Sequence, residues 1–232
     1  LDWHGSLSHY HQTKRRIFTQ AQHCVSNRAD ITISQSSETA AEMTGVPLSF
    51  GFDRPLRGHW GVAEDDGCYR IIHGGQWQTL VPSMSALMRH DWLNLLAAYA
   101  LVATNGHQLP EVADFLQQYE GLPHRCQYVL QHNGVRWIND SKGTNVAAAC
   151  AAVSCVAEYV TGKVVVLLGG VAKENDFSAL AAVLRACDCV VIAYGQAAPL
   201  LKNELSNQPV QVVKTLHEAV DRAMLVAESQ DA

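Results

Sequence analysis

The residues best suited to chemistry lie in one short segment, Asn139 to Asn145, which reads Asn-Asp-Ser-Lys-Gly-Thr-Asn. The segment combines a carboxylate, two hydroxyls, an amine and a flexible glycine between a predicted strand and a predicted helix. Free backbone N–H groups and the helix dipole favour an anion at such a turn, and Lys142 adds a positive charge. The segment therefore predicts a carboxylate or phosphate site, although it also fits a turn in which Thr144 or Asn145 merely caps the helix.

A second segment in the same setting runs from Leu168 to Ser178. Its Gly169-Gly170 pair would let a ligand approach the backbone, and Lys173 could bind a carboxylate. The G-x-x-x-x-G-K-[ST] spacing of a Walker A phosphate loop is absent from all 232 residues. A glycine pair before a helix is also common in simple turns, so this segment alone leaves both interpretations open.

Three further sets of residues in the first 125 positions could take part in chemistry. The first is Asp2 and His4 with Lys14, and the second is His90 and Asp91 with Asn94. The third is the segment Gly121-Leu122-Pro123-His124-Arg125. Oxygen and nitrogen groups such as those of the first can hold Mg²⁺ or orient phosphates. The second can cap a helix or face a ligand, and an arginine in the third can bind phosphates. Each group alone also fits ordinary surface or linker residues.

These residues must be positioned by strands and helices that the pattern of apolar residues predicts. Asn133-Gly134 predicts a hairpin turn between strands 127–132 and 135–139. Helices and strands then alternate to residue 229, which indicates βαβ units and a mostly parallel sheet. The earlier predicted elements are a helix over 10–21, a strand over 23–27, a loop over 29–47, strands over 48–52, 68–72 and 77–81 in an antiparallel or edge region, and helices over 91–104 and 109–119. We therefore predict an α/β fold with a domain boundary near residues 120–126.

Composition excludes several classes of protein. The chain has 17 Lys+Arg against 22 Asp+Glu, a net charge of −5, which disfavours a protein that coats nucleic acid. With 48% hydrophobic and 17% charged residues it can bury a core, and no apolar run approaches the roughly 18 residues of a membrane span. Seven cysteines without a C-x-x-C pair predict reduced thiols rather than disulfides or a zinc site. We expect a cytoplasmic protein that binds neither nucleic acid nor membranes.

Taken together, the motifs resemble those of the Mur ligase family. They occur in the family's order and span residues 1 to about 178. The matching segments are Leu1-Asp2-Trp3-His4-Gly5 with Tyr10-x-x-x-Lys14-x-Arg16-Ile17, Arg89-His90-Asp91-x-x-Asn94, Gly121-Leu122-Pro123-His124-Arg125, His132-Asn133-Gly134-Val135-x-Trp137-Ile138-Asn139-Asp140-Ser141-Lys142-Gly143-Thr144-Asn145, and Leu167-Leu168-Gly169-Gly170-x-x-Lys173-x-x-Asp176-Phe177.

The resemblance implies a fold and a reaction. Residues 1–125 are expected to form the latter part of the family's central ATP-binding domain, and residues 126–232 a Rossmann-like, amino-acid-binding C-terminal domain. The family uses ATP to convert a carboxylate into an acyl phosphate, which an incoming amine attacks to form an amide. The match is strongest to members that add D-glutamate to UDP-N-acetylmuramoyl-L-alanine in peptidoglycan precursor synthesis. The implied cofactors are therefore ATP and Mg²⁺, and the implied state is a monomer.

The resemblance also assigns roles to residues. His4 resembles the family's magnesium-site histidine, and Lys14 the lysine that the family carbamylates to make an oxygen ligand for a second magnesium. The expected catalytic residues are thus His4, Lys14 and Lys142. The positions that resemble nucleotide contacts are Asn94, Arg125 and Asp140, and those that resemble contacts near D-glutamate and the reacting carboxylate are Lys142, Thr144 and Lys173.

Two alternatives to the D-glutamate ligase remain open. One is a sibling ligase that adds another amino acid to a muramoyl peptide, or glutamate to folate. The other is a non-catalytic α/β module that binds nucleotide or D-glutamate. The resemblance further implies a piece of a longer enzyme, without the domain that binds the uridine nucleotide, the phosphate loop and the extreme C-terminus.

Because no phosphate loop occurs in the sequence, we expect the 232-residue chain alone not to catalyse the family's reaction. Inorganic phosphate released from ATP would be measured in the presence of Mg²⁺, UDP-N-acetylmuramoyl-L-alanine and D-glutamate, against a reaction without D-glutamate. Robust D-glutamate-dependent release would contradict this expectation.

Overall fold

Two compact units make up the chain, Leu1–Tyr119 and Glu120–Ala232. A computed structural model describes residues 3–30, 46–65, 68–73, 76–82, 89–107, 119, 121–171, 176–228 and 232. Within those residues the predicted α/β class is confirmed, since parallel and antiparallel strands combine with packed helices.

The first unit is built on a five-stranded sheet of order β1-β2-β3-β4-β5. The strands are β1 His23–Asn27, β2 Val46–Gly51, β3 Trp60–Asp65, β4 Cys68–His73 and β5 Gln76–Pro82. β1, β2 and β3 pair in parallel, whereas β3, β4 and β5 pair antiparallel. The described helices are α1 Leu7–Arg15, which continues into a 3₁₀ turn at Arg16–Phe18, and α2 Arg89–Thr104.

α2 covers one face of this sheet. Its buried side chains recur every three or four residues, which is the spacing of one helical face, and they are Trp92, Leu96, Tyr99 and Ala100. They share a core with alternate residues of β3, Trp60 and Val62, and with Ile71 of β4. Strand alternation and helical periodicity thus agree on one apolar interface.

The second unit begins with a hairpin of β6 Gln127–His132 and β7 Val135–Asn139, as predicted. Asn133 and Gly134 have φ angles of 52° and 83°, the left-handed conformations that two-residue hairpin turns require. A bulge between Tyr128 and Leu130 shifts the register, so that Gln127 pairs with Asn139.

A three-stranded parallel sheet of order β10-β9-β8 follows. Its strands are β8 Val165–Gly169, β9 Val190–Tyr194 and β10 Val210–Val212, and the helices of the unit are α3 Val146–Ala157, α4 Ser178–Ala186, α5 Ala198–Glu204 and α6 Leu216–Val226.

Helices cover both faces of this sheet because β9 alternates its side chains between two cores. Val191 and Ala193 pack with the α4 and α5 residues Leu184 and Leu201. Ile192 faces the other way and packs with α6. β9 is therefore a buried central strand, which explains its continuous apolar sequence.

The predicted helices and strands agree with the structure to within a few residues, except in the first unit. β3 has no predicted counterpart, and its sequence ends in two carboxylates, Glu64 and Asp65. The first helix is predicted to end at residue 21, whereas α1 ends at Arg15. Most of the predicted loop over 29–47 and of the predicted helix over 109–119 lies outside the described residues.

No disulfide joins the described cysteines at positions 24, 126, 150, 155, 187 and 189. Burial, together with the nearby Cys187 and Asp188, raises the pKa of Cys189 to about 12. Among the described residues, no helix has both the length and the apolar character to cross a membrane.

Leu184 and Leu225 provide a matched pair of leucines on helices of the second unit, with exposures of 0% and 76%. We expect Leu184→Ala to lower the free energy of unfolding by about 2–5 kcal/mol, because it removes buried contacts and leaves a cavity. Leu225→Ala should change it by less than about 0.5 kcal/mol. Urea unfolding followed by far-UV circular dichroism measures both, and similar losses in the two variants would contradict the assigned core.

Candidate functional site

The carboxyl ends of β8, β9 and β10 meet at one edge of the second unit's sheet because the three strands are parallel. Gly169 pairs with Tyr194, and Ala193 with Val212. The loops that follow these ends lead into α4, α5 and α6. In open α/β sheets this edge is where ligands bind.

The Asn139–Asn145 segment leads from β7 into α3, and the structure identifies the residue that caps the helix. Asn145 Oδ1 accepts a hydrogen bond from the Ala148 backbone N–H at 2.8 Å. Thr144 is exposed and does not serve as the cap, and the Lys142 side chain is exposed as well. Both side chains are therefore accessible to a ligand.

The structure brings this segment together with Gly-Leu-Pro-His-Arg, which precedes β6. The Lys142 N–H donates to the His124 carbonyl oxygen at 3.1 Å. The Cys126 N–H donates to Asp140 Oδ1 at 3.0 Å, and Asn139 Nδ2 lies 3.1 Å from His124 Nδ1. Two motifs that the sequence presents separately thus form one hydrogen-bonded group.

The backbone on either side of Arg125 is left-handed, with φ angles of 66° at His124 and 45° at Cys126. Such angles cost a non-glycine residue about 1–2 kcal/mol. The hydrogen bonds to Asp140 and Lys142 offset this cost, and the Arg125 N–H donates to the Leu122 carbonyl oxygen at 3.2 Å. This arrangement holds the backbone that carries the exposed Arg125 side chain.

The resulting group carries two exposed cations, Arg125 and Lys142, and one half-buried carboxylate, Asp140. One carboxylate oxygen of Asp140 is occupied by the Cys126 N–H. The cations suit an anionic ligand, while the other oxygen of Asp140 can accept from a hydroxyl. We call Arg125, Asp140, Lys142 and Thr144 the two-loop site.

The glycine pair after β8 makes close contacts with the end of β9. A Cβ on Gly169 would lie 2.5 Å from atoms of the Tyr194 ring, so only glycine fits there without a shift. Gly170 has a φ angle of 98°, and its carbonyl oxygen accepts from the Ala197 N–H at 3.0 Å. The first part of the second loop is therefore held against β9, whereas Lys173 lies outside the described residues.

At the far end of that loop, Asp176 Oδ1 accepts from the Ser178 N–H at 2.9 Å. Hydrogen bonds from the Ser178 side chain and backbone lower the pKa of the Asp176 carboxyl. This carboxylate lies just before Phe177, the N-cap residue of α4, and adds negative charge near the helix N-terminus, where the helix dipole favours it.

In the first unit, Asn94 is exposed on α2, in the same turn as a pair formed by His90 and Asp91. His90 Nε2 lies 3.4 Å from an Asp91 carboxylate oxygen. Burial, and then the negative charge of Asp91, raises the pKa of Tyr119. Asp91 therefore has partners within its own unit, and Asn94 remains accessible.

His4 and Lys14 both contact the ring of Tyr10. The ring centroids of His4 and Tyr10 are 5.3 Å apart, and Lys14 Nζ lies 5.5 Å from the Tyr10 centroid. Among the described residues, the buried His4 Nδ1 has no hydrogen-bond partner, and no group of three or more His, Cys, Asp or Glu side chains could hold a metal ion. Asp2 lies outside the described residues.

Sequence reasoning gave no role to three residues that organise these loops, namely His124, Asn139 and Tyr194. The first two lie in the quoted motifs, but their contact depends on the hairpin register. Tyr194 ends a buried strand, and nothing in its own sequence context indicates that its ring covers Gly169.

Comparisons with known proteins find a family model that matches the second unit and curated relatives that match the whole chain. Residues 124–232 match the Mur ligase glutamate ligase domain. The chain is 34% identical over 234 aligned positions to the UDP-N-acetylmuramoylalanine--D-glutamate ligase of Legionella pneumophila (strain Lens), with 100% of this chain and 52% of that protein covered. It is 35% identical to the protein of the same name from Chromohalobacter salexigens, with 100% of this chain and 50% of that protein covered. The chain thus spans about half the length of these curated relatives.

A solved structure shares the fold. It is the bifunctional folylpolyglutamate synthase/dihydrofolate synthase of Yersinia pestis, crystallised with AMPPNP and a manganese ion. The TM-score is 0.70 at 22% sequence identity, with 95% of this chain and 51% of that chain covered.

Replacing Ser178 tests the electrostatics of the second loop. Ser178→Ala should raise the pKa of Asp176 towards its ordinary value of 3.8, but not fully, because the backbone N–H remains. A lowered carboxyl pKa contributes stability that is present above the unfolded-state pKa and is lost as the pH falls through the folded-state pKa. Carbon-detected NMR titration of the carboxyl groups measures the change, and the other aspartates are internal controls. An unchanged Asp176 titration would contradict the assigned bond.

Proposed function

Because this chain belongs to the Mur ligase family, we propose that it contributes to ATP-dependent amide-bond formation between UDP-N-acetylmuramoyl-L-alanine and D-glutamate. This reaction is a step of peptidoglycan precursor synthesis. The proposed enzyme is monomeric and cytoplasmic. The observation that carries the proposal is a set of hydrogen bonds between the segment before β6 and the segment after β7. These bonds hold together the backbone segments that carry Arg125, Asp140 and Lys142. D-glutamate is chosen as the amino acid because the Legionella and Chromohalobacter relatives carry it in their names.

The reaction requires charge to be neutralised at two stages. The γ-phosphate of ATP is transferred to the substrate carboxylate, and the resulting acyl phosphate is attacked by the amine of D-glutamate. The tetrahedral intermediate then expels inorganic phosphate, and the amine loses its proton. Negative charge on the phosphates and on the tetrahedral oxygen is the quantity that fixed donors stabilise.

The two-loop site supplies such donors. The Arg125 guanidinium can bind phosphate oxygens in a bidentate manner, and the second carboxylate oxygen of Asp140 can accept from a ribose hydroxyl. The Lys142 ammonium suits a carboxylate of D-glutamate as well as the reacting carboxylate, and the exposed hydroxyl of Thr144 can bond to the same amino acid. The orientation of these groups relies on the fixed loops, which lowers the cost of binding.

Two further residues complete the proposal by their place in the motifs. Asn94 is proposed as a nucleotide contact, which its exposure on α2 permits. Lys173 is proposed to bind a carboxylate of D-glutamate.

Magnesium requires a separate test of fit at His4 and Lys14. Mg²⁺ prefers oxygen ligands in octahedral geometry, whereas the described side chains here offer one partnerless imidazole nitrogen and an ammonium group beside Tyr10. An ammonium repels a metal ion, so in this form the pair does not fit magnesium. Carbamylation would replace the Lys14 cation by an oxygen anion, and only in that form are His4 and Lys14 proposed as metal ligands.

Titration calorimetry with ATP and Mg²⁺, D-glutamate and L-glutamate tests the function. Lys142→Ala and Lys173→Ala should each weaken D-glutamate binding by about tenfold or more, because each removes a charge-assisted hydrogen bond. Lys202→Ala, an exposed lysine of α5, is the matched control and should have no effect.

The outcomes separate the alternatives. Unchanged D-glutamate affinity in Lys173→Ala would count against the second-loop assignment. Tighter binding of L-glutamate than of D-glutamate would favour a folylpolyglutamate-type ligase. Binding of both ATP and D-glutamate, combined with no turnover in a full-length relative that carries these residues, would favour a non-catalytic module.

A further inference from the structure

Asn139 connects the two loops through both ends of its side-chain amide. Its Oδ1 lies 3.0 Å from the Ser141 backbone nitrogen, and its Nδ2 lies 3.1 Å from His124 Nδ1. A backbone N–H can only donate, so the amide atom that faces Ser141 must be the oxygen. The opposite atom, which faces His124, is therefore the NH₂ group.

This orientation determines which nitrogen of His124 carries the proton. An amide NH₂ group can only donate, so His124 Nδ1 must be the acceptor. A neutral imidazole that accepts at one nitrogen is protonated at the other. The contact with Asn139 thus selects the tautomer of His124 with its proton on Nε2.

The backbone of His124 is also tied down. Its N–H donates to Gln127 Oε1 at 3.0 Å, and its carbonyl oxygen accepts the Lys142 N–H at 3.1 Å. His124 is exposed, and the described part of the chain offers no partner to Nε2. Its Nε2–H is therefore a donor without a protein acceptor, adjacent in sequence to Arg125 and bonded to the loop that carries Lys142.

We infer that Asn139 is a positioning residue that holds the proton of neutral His124 on Nε2, so that His124 adds a second N–H donor, next to Arg125 in the chain, for the phosphate oxygens of ATP. The choice of ATP rests on the proposed function. The tautomer assignment rests only on the hydrogen bonds of the loops. Asn139 itself acts through His124 and through the turn at Ser141.

The Asn139→Asp variant removes the N–H donor to His124 and keeps the acceptor for Ser141. A carboxylate still accepts the Ser141 N–H, but it cannot donate to His124 Nδ1. The proton of neutral His124 should then move to Nδ1, where the carboxylate accepts it. Long-range ¹H–¹⁵N NMR at about pH 8.5, well above the ordinary histidine value, distinguishes the two tautomers. A His124→Gln spectrum assigns the signal, and exposed His132 of β6 is the internal control.

We expect the Nε2–H tautomer in the wild-type chain and the Nδ1–H tautomer in Asn139→Asp, with His132 unchanged. An Nδ1–H tautomer in the wild type would overturn the inference. So would a His124 tautomer that does not respond to Asn139→Asp. Neither readout depends on ATP or on any catalytic activity.

Calorimetric titration with ATP and Mg²⁺ tests whether His124 contributes to ATP binding. Asn139→Asp should weaken ATP binding by about ten- to a hundredfold, the effect of one lost hydrogen bond to a charged group. Gln131→Glu introduces the same charge on β6 and is expected to weaken binding by less than about twofold. Equal losses in the two variants would mean that charge alone acts, and would overturn the role of His124.

The two proposals fail in different ways. If the wild-type chain binds no ATP while the tautomer responds as expected, the nucleotide assignment fails and the positioning role of Asn139 stands. If ATP binds and the tautomer does not respond, the positioning role fails and the nucleotide assignment stands.

Discussion

Gln127 pairs with Asn139 in the β6–β7 hairpin, and this register places Cys126 beside Asp140. The register depends on the bulge between Tyr128 and Leu130, since a regular hairpin continued from the turn would pair Gln127 with Asp140 instead. Bulges are a known means of re-aiming residues next to functional sites. In this register the Cys126 N–H bonds to Asp140, and Asn139 contacts His124.

The parallel sheet of the second unit gives the loop that follows β8 a rigid base. β9 is buried on both faces, with Val191 and Ala193 in one core and Ile192 in the other. Its end and the end of β8 are held together by Gly169 against Tyr194 and by the bond from Ala197 to Gly170. Loops anchored on such strands lose little conformational freedom when a ligand binds, and this is the physical advantage of placing polar groups at the carboxyl edge of a parallel sheet.

The charged side chains of the two-loop site differ in burial and in their hydrogen bonds to the protein. Asp140 is half-buried and already bonded to the backbone. Arg125 and Lys142 are exposed and hold their charge in water, where an ion pair contributes little by itself. Their value for binding therefore comes from the fixed backbone that presents them together. The Lys14 ammonium, stacked on Tyr10, shows the opposite situation, because its chemistry has to change before it can bind a metal.

Much of this protein follows from local sequence. Asn133-Gly134 determines the hairpin turn, apolar periodicity determines α2, α3 and the buried strands, and the placement of polar segments after strand ends indicates where a ligand would bind. These features depend on steric preferences and periodicities that act within about ten residues. The resemblance to the Mur ligase family came instead from the motif segments, among them those at 121–125 and 139–145.

Tertiary structure decided which of the separate motifs meet. No local rule predicts the bulge in β6, and without the resulting register the contacts of His124 with Asn139 and of Cys126 with Asp140 would not form. The strand β3 was likewise evident only from its pairing with β2 and β4, because its own sequence ends in two carboxylates. Hydrogen bonds between residues 14 or 15 positions apart depend on where the chain returns, and that is determined by packing and register rather than by the residue types alone.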